Sequence, residues 1–551
     1  MGHMHHHVAA NRQEQIRKER HPVTNFMGGT SYQWNPLDTL KLVTASSIFG
    51  EPAYYRSGEF EDATVIRDGI FRADPLFAQY LLPSLKCFTG EKTSDIMEQA
   101  IDAALEYDFR ATLDWAVTLR RDYRMRLNPQ VIMVRAAIHP LRGAFTEANP
   151  GEFSRINSLV MSRADEPASQ LTYYLYRNGS KNRIPGVLKR SWADRFAAMS
   201  AYDVYKYRNS GIGMIDTIRI CHAKGETVDE LMRTGTVALP REEKTWETLR
   251  AGGASWREIL DTVRMGHMAL LRNLRGIFTE ITDLRQTQVI LEQLKAGVPG
   301  GKQFPFRYKS AYDAIRTAPG LVHRTVILDA LEDCIDIACG NMPRLPGRTM
   351  CLSDNSGSAW GAFNSAYGTV TVAEIDNLSS VITARNSDEG FVGKFGDRLQ
   401  TYGISRHRGV LHQANEISNG NCHDIGGSTE NGIWLFFDQA IRNQDVYDNI
   451  FIYSDQQAGH GGLYGTAEGK QAYHAAGYSH HGYVDVAKLI DAYRRQVNPR
   501  VNVFSVQTAG YSNVLIPESG YRTSILYGWT GNELVYADAI NRFWDEKDAQ
   551  G

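Results

Sequence analysis

Apolar residues recur three and four positions apart along the first two thirds of the chain, which is the spacing of one helix face. The segment KTSDIMEQAIDAALEYDFRATLDWAVTLRRDY shows this spacing, with Thr93 or Ser94 placed to cap its start. Similar segments continue from about Asp74 to Asn341, and short linkers rich in Gly, Pro and Asn separate them. A succession of about a dozen or more short helices without a strand signal predicts stacked helical pairs, an α-solenoid.

The pattern changes after the segment MPRLPGR, which contains two prolines and a glycine. The short apolar runs TMCLSD, NIFIYSD, VNVFSVQTAG and RTSILYGW end in polar or small residues, as buried parallel strands do. Helical segments lie between these runs. Strands that alternate with helices predict a doubly wound α/β domain from about Gly347 to Asp548, with ligands bound at the carboxyl ends of its strands.

Three polar fragments fall at that edge of the predicted sheet. Asp354, Ser356 and Ser358 follow the first strand in a DxSxS pattern, Ser428 lies in the glycine-rich loop DIGGSTENG, and Asp455 ends another strand. Carboxylate and hydroxyl oxygens are ligands that Mg²⁺ prefers, and neutral hydroxyls leave the ion open to an anionic oxygen of a partner. The same residues are also common in turns and helix caps, so an edge without an ion is the alternative interpretation.

Composition fits a globular protein of more than one domain. The chain has 551 residues, of which 42% are hydrophobic and 22% charged. Its six cysteines are scattered without a CxxC pair, which favours reduced thiols and a cytoplasmic location. We find no secretory signal and no apolar run near the roughly 18–20 residues of a membrane span, and we interpret the start MGHMHHH as a tag.

Charge is distributed unevenly along the chain. Residues 1–350 contain 46 Lys and Arg against 40 Asp and Glu, whereas residues 351–551 contain 14 against 22. The first part is therefore the better candidate for a polyanion partner. The candidate RNA-contacting residues are two basic groups: Arg120, Arg121, Arg124 and Arg126, and then Lys181, Arg183, Lys189, Arg190, Lys206 and Arg208. Aromatic residues near the second group would stack bases if exposed, or form core if buried.

The order of the three polar fragments resembles the metal-ion-dependent adhesion site (MIDAS) of a von Willebrand A domain. The resemblance implies that Ser356 and Ser358 coordinate the cation directly and that Ser428 adds another oxygen. It also implies that Asp354 and Asp455 act largely through water. Ser428 stands where threonine is commoner in that family.

The helical part resembles TROVE-domain proteins, the family of the Ro autoantigen and its bacterial relatives. The resemblance rests on FGEPAYYRSGEF, on RIPGVLKRSWADRFAAMSAYDVYKYRNSGIGMIDTIRICHA and on FPFRYKSAYDAI. It implies that residues 24–345 form HEAT-like helical repeats closed into a ring and that residues 346–551 form the von Willebrand A-like domain. Residues 1–23 are then a tag and a flexible N-terminus.

The resemblance also implies a function without catalysis. Members of that family bind small non-coding Y RNA on the outer surface of the ring and single-stranded 3′ ends of misfolded RNA in its hole. They act in RNA quality control with exoribonucleases such as polynucleotide phosphorylase. We therefore expect a monomeric, cytoplasmic RNA-binding ring with Mg²⁺ as cofactor. The alternatives are a protein-interaction scaffold, whose A-domain metal captures acidic partner residues, and a nuclease that uses the same metal.

Overall fold

A computed structural model of the protein describes most of the chain. The described residues are 22–24, 30–32, 35–45, 93–178, 181–208, 213–240, 244–340, 342–357, 359–360, 370–419, 425–426, 430–456, 486–508, 515–516, 521–527 and 533–550. The chain divides into two compact units. The helical unit comprises Glu98–Gln303 and Ala311–Ala330, and the sheet unit comprises Met1–Met97, Phe304–Ser310 and Leu331–Gly551.

Helices account for all the regular structure described between residues 93 and 340, as the apolar spacing predicts. A short antiparallel pair of strands, β1 (Pro22–Thr24) and β2 (Thr30–Tyr32), precedes them and was not predicted. The helices are α1 (Pro36–Ala45), α2 (Thr93–Tyr107), α3 (Phe109–Arg121), α4 (Asn128–Ile138), α5 (Arg142–Ala148), α6 (Glu152–Val160), α7 (Glu166–Asn178), α8 (Gly186–Ala197), α9 (Ala201–Tyr207), α10 (Met214–Cys221), α11 (Glu226–Thr234), α12 (Trp246–Ala251), α13 (Trp256–Thr262), α14 (His267–Glu280), α15 (Leu284–Ala296), α16 (Val298–Gly301), α17 (Pro305–Thr317) and α18 (Arg324–Cys339).

Local capping explains where several of these helices begin. The Asp108 carboxylate accepts a hydrogen bond from the backbone N–H of Ala111 at 2.9 Å, which satisfies a free donor in the first turn of α3. Helix α9 begins with a capping box, in which Ser200 and Asp203 each bind the other residue's backbone N–H. Such caps fix the short helices of this unit at defined start points. None of the described helices has the length and apolarity of a membrane span.

A buried polar network joins four helices of the helical unit. The Gln170 side chain on α7 donates to the Gln130 oxygen on α4 and to the Asn157 oxygen on α6, both at 2.7 Å. The Trp192 indole on α8 donates to the Gln170 oxygen at 2.8 Å. All four side chains are fully buried. Because each group finds a partner, the network orients these helices without leaving an unpaired buried amide.

The sheet unit contains a mixed six-stranded sheet. Its strand order is β5-β4-β3-β6-β7-β8. Strand β5 is antiparallel to β4, and the remaining four pairs of neighbouring strands are parallel. The elements in chain order are β3 (Leu345–Asp354), α19 (Val372–Arg385), β4 (Ser387–Phe395), β5 (Leu399–Gly403), α20 (Val410–Ser418), α21 (Glu430–Asn443), β6 (Asn449–Ser454), α22 (Val486–Gln496), β7 (Asn502–Gln507), β8 (Thr523–Tyr527) and α23 (Glu533–Gln550). The chain passes from β3 to one side of the sheet and later returns to the other side, so the strand order reverses at β3.

Four of the six strands coincide with predicted apolar runs, namely β3, β6, β7 and β8. Strands β4 and β5 were not predicted. Gly390 shows one reason, because a Cβ added there would lie 1.9 Å from the Ala384 carbonyl oxygen at the end of α19. The close approach of helix and strand requires glycine in a strand interior, where glycine usually argues against a strand.

A helix cap and an ion pair fix residues of the preceding helices within the sheet unit. On α18, Glu332 accepts the backbone N–H groups of Leu411 at 3.0 Å and His412 at 2.7 Å, so it caps the start of α20 from another helix. On α17, the buried Lys309 ammonium pairs with Glu374 at 3.0 Å. The sheet unit thus includes helical residues that precede the predicted boundary at residue 346.

We expect the Gln170→Leu substitution to destabilise the helical unit. It leaves the Trp192 N–H and the amides of Gln130 and Asn157 short of partners, and each unpaired buried group costs about 1–3 kcal/mol of unfolding free energy. Urea unfolding followed by circular dichroism measures the loss. The control is Gln288→Leu on the exposed side of α15, which should change the unfolding free energy by less than about 0.5 kcal/mol. Equal effects of the two substitutions would contradict the role of the network.

Candidate functional site

Asp354 ends β3 and is fully buried. Its Oδ1 accepts the backbone N–H of Ser356 at 2.9 Å, and its Oδ2 accepts the Ser454 hydroxyl at 2.7 Å. The first bond, between residues two positions apart, closes a tight turn through which the chain leaves the strand. Ser356 is buried beside it. These bonds fix the carboxylate at the carboxyl end of the strand.

Asp455 lies at the same edge because β3 and β6 are parallel neighbours. Ser353 is paired with Tyr453, so the strands end side by side, at Asp354 and Ser454. The Ser454 hydroxyl also lies 3.4 Å from the Asp455 Oδ1, and both carboxylates are fully buried. The sheet therefore brings together the two aspartates that the sequence predicted at this edge.

A third carboxylate, Asp376, was missed by sequence reasoning. It lies on α19, is fully buried, and neither of its oxygens has a hydrogen-bond partner of good geometry among the described residues. The signal that could have revealed it is a buried polar stripe on α19, because Asp376, Ser380 and Thr383 recur at helical spacing on a face that packs against the sheet. A polar stripe on a buried helix face indicates a site and not only a core.

Burial and mutual repulsion disfavour ionisation of these carboxyl groups. Burial first, and then the Asp455 charge, raise the pKa of Asp354 to about 7. The pKa of Asp376 is raised well above its ordinary value by burial and then by the Asp354 charge, although the Thr508 hydroxyl opposes the shift. Like charges in a buried space cannot all ionise unless a cation compensates them. The edge is therefore electrostatically suited to a cation.

The oxygen chemistry of this edge fits a hard cation such as Mg²⁺. Among the described residues, no group of three or more His, Cys, Asp or Glu side chains is arranged to hold a metal ion. Hydroxyl oxygens would therefore have to complete a coordination sphere. Of the predicted hydroxyl ligands, Ser356 is at the edge, whereas Ser358 and Ser428 lie outside the described residues.

The predicted RNA-contacting residues divide into two classes of exposure. Six are exposed: Arg121, Arg126, Lys181, Arg183, Arg190 and Lys206. Four are half-buried: Arg120, Arg124, Lys189 and Arg208. Arg120 and Arg126 pair with the buried Glu166 and Asp165 at 2.8 Å and 2.5 Å. The part of the chain that the structure describes offers no ion-pair partner to Lys181, Arg183, Arg190 or Lys206, so these charges face solvent uncompensated.

Tyrosine rings accompany the basic side chains of α9. The Lys206 ammonium lies 5.6 Å from the Tyr202 ring centre and 5.5 Å from the Tyr207 ring centre. Arg208 lies 5.6 Å from the Tyr205 ring centre and donates to the Thr236 hydroxyl at 3.1 Å. Cations at this distance from aromatic faces are held in place at little entropic cost. The helix thus presents basic and aromatic groups together.

Other aromatic residues of this region belong to the core. Trp192, Tyr173 and Tyr174 are buried, which supports the alternative that they pack rather than stack bases. Tyr176 is 60% exposed and available to a partner. Arg163 was not among the predicted residues, yet its guanidinium lies 4.5 Å from the Tyr207 ring centre. The helical unit therefore builds its basic surface from residues that are distant in sequence.

Comparison with known families identifies part of the helical unit. Residues 232–323 match the model of the TROVE domain family. The predicted resemblance to TROVE-domain proteins is confirmed. The match includes FPFRYKSAYDAI, one of the segments on which the prediction rested, but not the basic stretch between residues 171 and 220.

Two curated relatives share a segment of similar length. Telomerase protein component 1 of Mus musculus is 35% identical over 92 residues, which is 16% of this chain and 4% of that protein. Telomerase protein component 1 of Rattus norvegicus is 32% identical over 89 residues, 15% of this chain and 3% of that protein. The chain therefore matches only a small part of the length of either relative.

A solved structure shows the fold over most of the chain. The crystal structure of the Deinococcus radiodurans Ro (RSR) protein matches with a TM-score of 0.52 at 16% identity, and it covers 81% of this chain and 93% of that chain. The matched 81% of this chain exceeds the fraction of residues that either unit contains, so the match includes residues of both units. The helical fold with a mixed six-stranded sheet is thus shared with a Ro protein.

The raised pKa of Asp354 predicts a pH dependence of stability in the presence of EDTA. The folded protein retains a proton that the unfolded chain releases above a pKa of about 3.9, so this group stabilises the fold at low pH and its contribution is lost as the pH rises through about 7. Thermal unfolding between about pH 5 and about pH 8 measures the loss, because stability declines with rising pH up to the folded-state pKa of about 7 and levels off above it.

Asp354→Asn should make the decline shallower, because an amide has no proton to lose, while Asp376, whose pKa burial also raises, keeps its own contribution. The exposed Asp216, replaced by Asn in the same way, is the matched control and should leave the profile unchanged. A wild-type profile that stays flat through neutral pH in EDTA would contradict the electrostatic description of the site.

Proposed function

We propose that the protein is a non-catalytic RNA-binding protein and that its helical unit supplies the RNA surface. The observation that carries the proposal is the set of exposed basic residues without ion-pair partners among the described residues, next to tyrosines, on a chain with a TROVE domain match. Lysine and arginine that face solvent uncompensated attract a polyanion. The exposed tyrosine rings suit RNA because unstacked bases pack on aromatic faces.

The finer form of the proposal follows the family resemblance. In it, residues 24–345 form a closed ring that binds a Y-like RNA on its outer surface and the single-stranded 3′ ends of misfolded RNA in its hole. The protein acts as a monomer in cytoplasmic RNA quality control, together with an exoribonuclease such as polynucleotide phosphorylase. The fold shared with a Ro protein over most of the chain supports this form.

We further propose that the strand edge of a von Willebrand A-like domain holds a divalent cation, Mg²⁺. Asp354, Ser356, Ser358, Ser428 and Asp455 would supply its oxygens. Asp376 would add a nearby negative charge. The cation would compensate the buried carboxylates and offer an open position to an anionic oxygen.

A second candidate function is a protein-interaction scaffold, in which this cation captures an acidic side chain of a partner. The observation that favours it is the edge of buried carboxyl groups. Among the described residues, no side chain donates a hydrogen bond of good geometry to either oxygen of Asp376. The scaffold requires the sheet unit, whereas RNA binding requires the basic surface of the helical unit. Substitutions in each unit therefore separate the two functions.

The double substitution Arg190→Gln and Lys206→Gln should weaken RNA binding. Both side chains are exposed and unpaired among the described residues, so their loss removes phosphate contacts without breaking an ion pair. Each lost contact should flatten the slope of log affinity against log salt by about 0.7, which amounts to roughly tenfold weaker binding for two contacts at 0.15 M salt. Fluorescence anisotropy with a hairpin RNA carrying a single-stranded 3′ tail measures both quantities.

The control for the RNA experiment is Arg442→Gln on α21 of the sheet unit, which removes a cation of similar exposure. It should leave affinity and salt slope unchanged, and the RNA should remain full length after incubation with protein and Mg²⁺. Wild-type protein that fails to bind this RNA at low salt would overturn the proposed function. Cleavage of the RNA would overturn its non-catalytic part.

Mg²⁺ should stabilise the sheet unit through the carboxylate edge. At a hundredfold excess over its dissociation constant, a ligand that binds only the folded state adds about 2.7 kcal/mol to the unfolding free energy. Thermal unfolding with EDTA and then with saturating MgCl₂ measures the gain. Asp354→Asn should abolish it while Asp216→Asn keeps it, and a wild-type protein indifferent to Mg²⁺ would argue that no such cation binds.

A further inference from the structure

Four arginine side chains converge on the turn Met161–Arg163, which joins α6 to α7. Arg120 reaches it from α3 and contacts the Ser162 hydroxyl. Arg195 reaches it from α8 and donates to the Ser162 carbonyl oxygen at 3.3 Å. Arg163 belongs to the turn, and Arg126, from the loop between α3 and α4, meets it through a shared carboxylate. We call this group of four the arginine cluster.

Two buried acids hold the arginine cluster in place. The Asp165 side chain is 1% exposed and accepts two hydrogen bonds from Arg163, at 3.0 Å and 2.9 Å, and one from Arg126 at 2.5 Å. The Glu166 side chain is fully buried and accepts from Arg120 at 2.8 Å and from the backbone N–H of Arg163 at 2.8 Å. Arg163 is therefore fixed by both acids.

The cluster retains positive charge after these pairings. Four guanidinium groups face the two carboxylates of Asp165 and Glu166, so the pairings leave a positive excess within the cluster. Arg126 and Arg195 each use one of their five N–H donors on a described acceptor. Their remaining donors, and those of Arg163, belong to guanidinium groups, each of which is a planar fork of the kind that binds phosphate oxygens in pairs.

A neighbouring aromatic platform extends the cluster. The Tyr207 ring lies under the Arg163 guanidinium, and Lys206 lies on the same ring, so a fifth cation adjoins the turn. Burial raises the pKa of the Tyr207 hydroxyl, and the charges of Arg163, Asp165, Asp203 and Arg126 act on the same group. The arrangement combines oriented arginines with a half-buried aromatic ring, as surfaces for single-stranded RNA do.

We propose that the turn Met161–Arg163 is a phosphate-binding point for RNA, contacted by Arg126, Arg163 and Arg195, and that Asp165 limits its affinity. This inference rests on the proposed function, since it names where the RNA backbone is held. Neither Arg163 nor Arg195 was among the residues predicted from the sequence. The Asp165 carboxylate reduces the attraction of a phosphate, because it accepts hydrogen bonds from two of the three arginines and offsets part of their positive charge.

The substitution Asp165→Asn gives a test that misfolding cannot imitate, because it should tighten binding. Asparagine keeps the size of the side chain and removes its charge, while the stacking on Tyr207 continues to hold Arg163. One additional phosphate contact changes the salt slope by about 0.7, so affinity should rise roughly fourfold at 0.15 M salt. Arg163→Gln and Arg195→Gln should each weaken binding by a similar factor.

The measurement is fluorescence anisotropy of the full chain with the tailed hairpin RNA over a range of salt concentrations. Glu292→Gln on α15 is the matched control, because it changes the net charge equally and removes one ion pair, that between Glu292 and Lys295. The inference would be overturned if the Asp165→Asn variant bound the RNA no more tightly than the Glu292→Gln variant. It would also be overturned if the Arg163→Gln variant bound the RNA as tightly as the wild type. Wild-type protein that binds no RNA would instead overturn the proposed function itself.

Discussion

The parallel pairing of β3 with β6 is the constraint on which the chemistry of the sheet unit depends. Parallel strands run in the same direction, so their last residues meet at one edge, and the register of Ser353 with Tyr453 sets Asp354 beside Ser454. Because β4 lies on the other side of β3, the strand order reverses there, which is where sheets of this kind commonly bind ligands. Three buried carboxyl groups belong to this part of the sheet unit: Asp354 at the end of β3, Asp455 directly after β6, and Asp376 on α19. These buried carboxyl groups repel one another when ionised, and a cation bound between them would compensate that repulsion.

Contiguous apolar runs made most of the sheet predictable from the sequence, and the exceptions have physical causes. Strand β4 contains Gly390, where helix α19 leaves no room for a side chain, and the fully buried Lys394, whose ammonium donates to the Asn419 carbonyl oxygen at 3.0 Å. Glycine and lysine both argue against a buried strand when partners are unknown. Asp354 and Asp455 were predictable because they directly follow apolar runs. Asp376 was not, since its importance depends on how α19 packs.

Sequence reasoning is limited in the same way for the basic residues, because it does not show which of their charges are paired. The sequence locates the lysines and arginines, but it cannot tell that Arg120 pairs with Glu166, 46 positions away. The pairing separates two roles within one basic stretch. Arginines whose guanidinium groups meet buried acids are held in fixed positions, whereas Lys181 and Lys206 have no such partner among the described residues and extend into solvent. Composition alone assigns the same meaning to both, and only the three-dimensional contacts distinguish them.

The two proposed ligands, RNA for the helical unit and a divalent cation for the sheet unit, carry opposite charges, and ionic strength should affect their binding differently. The basic groups of the helical unit lie at or near the surface, where salt screens charges over about 8–10 Å and competes with phosphate. The carboxylates of the sheet unit are buried, and screening by monovalent salt reaches buried charges much less. A cation held there would therefore persist under conditions that release RNA. The proposed RNA binding and the proposed cation binding should therefore be distinguishable by their salt dependence.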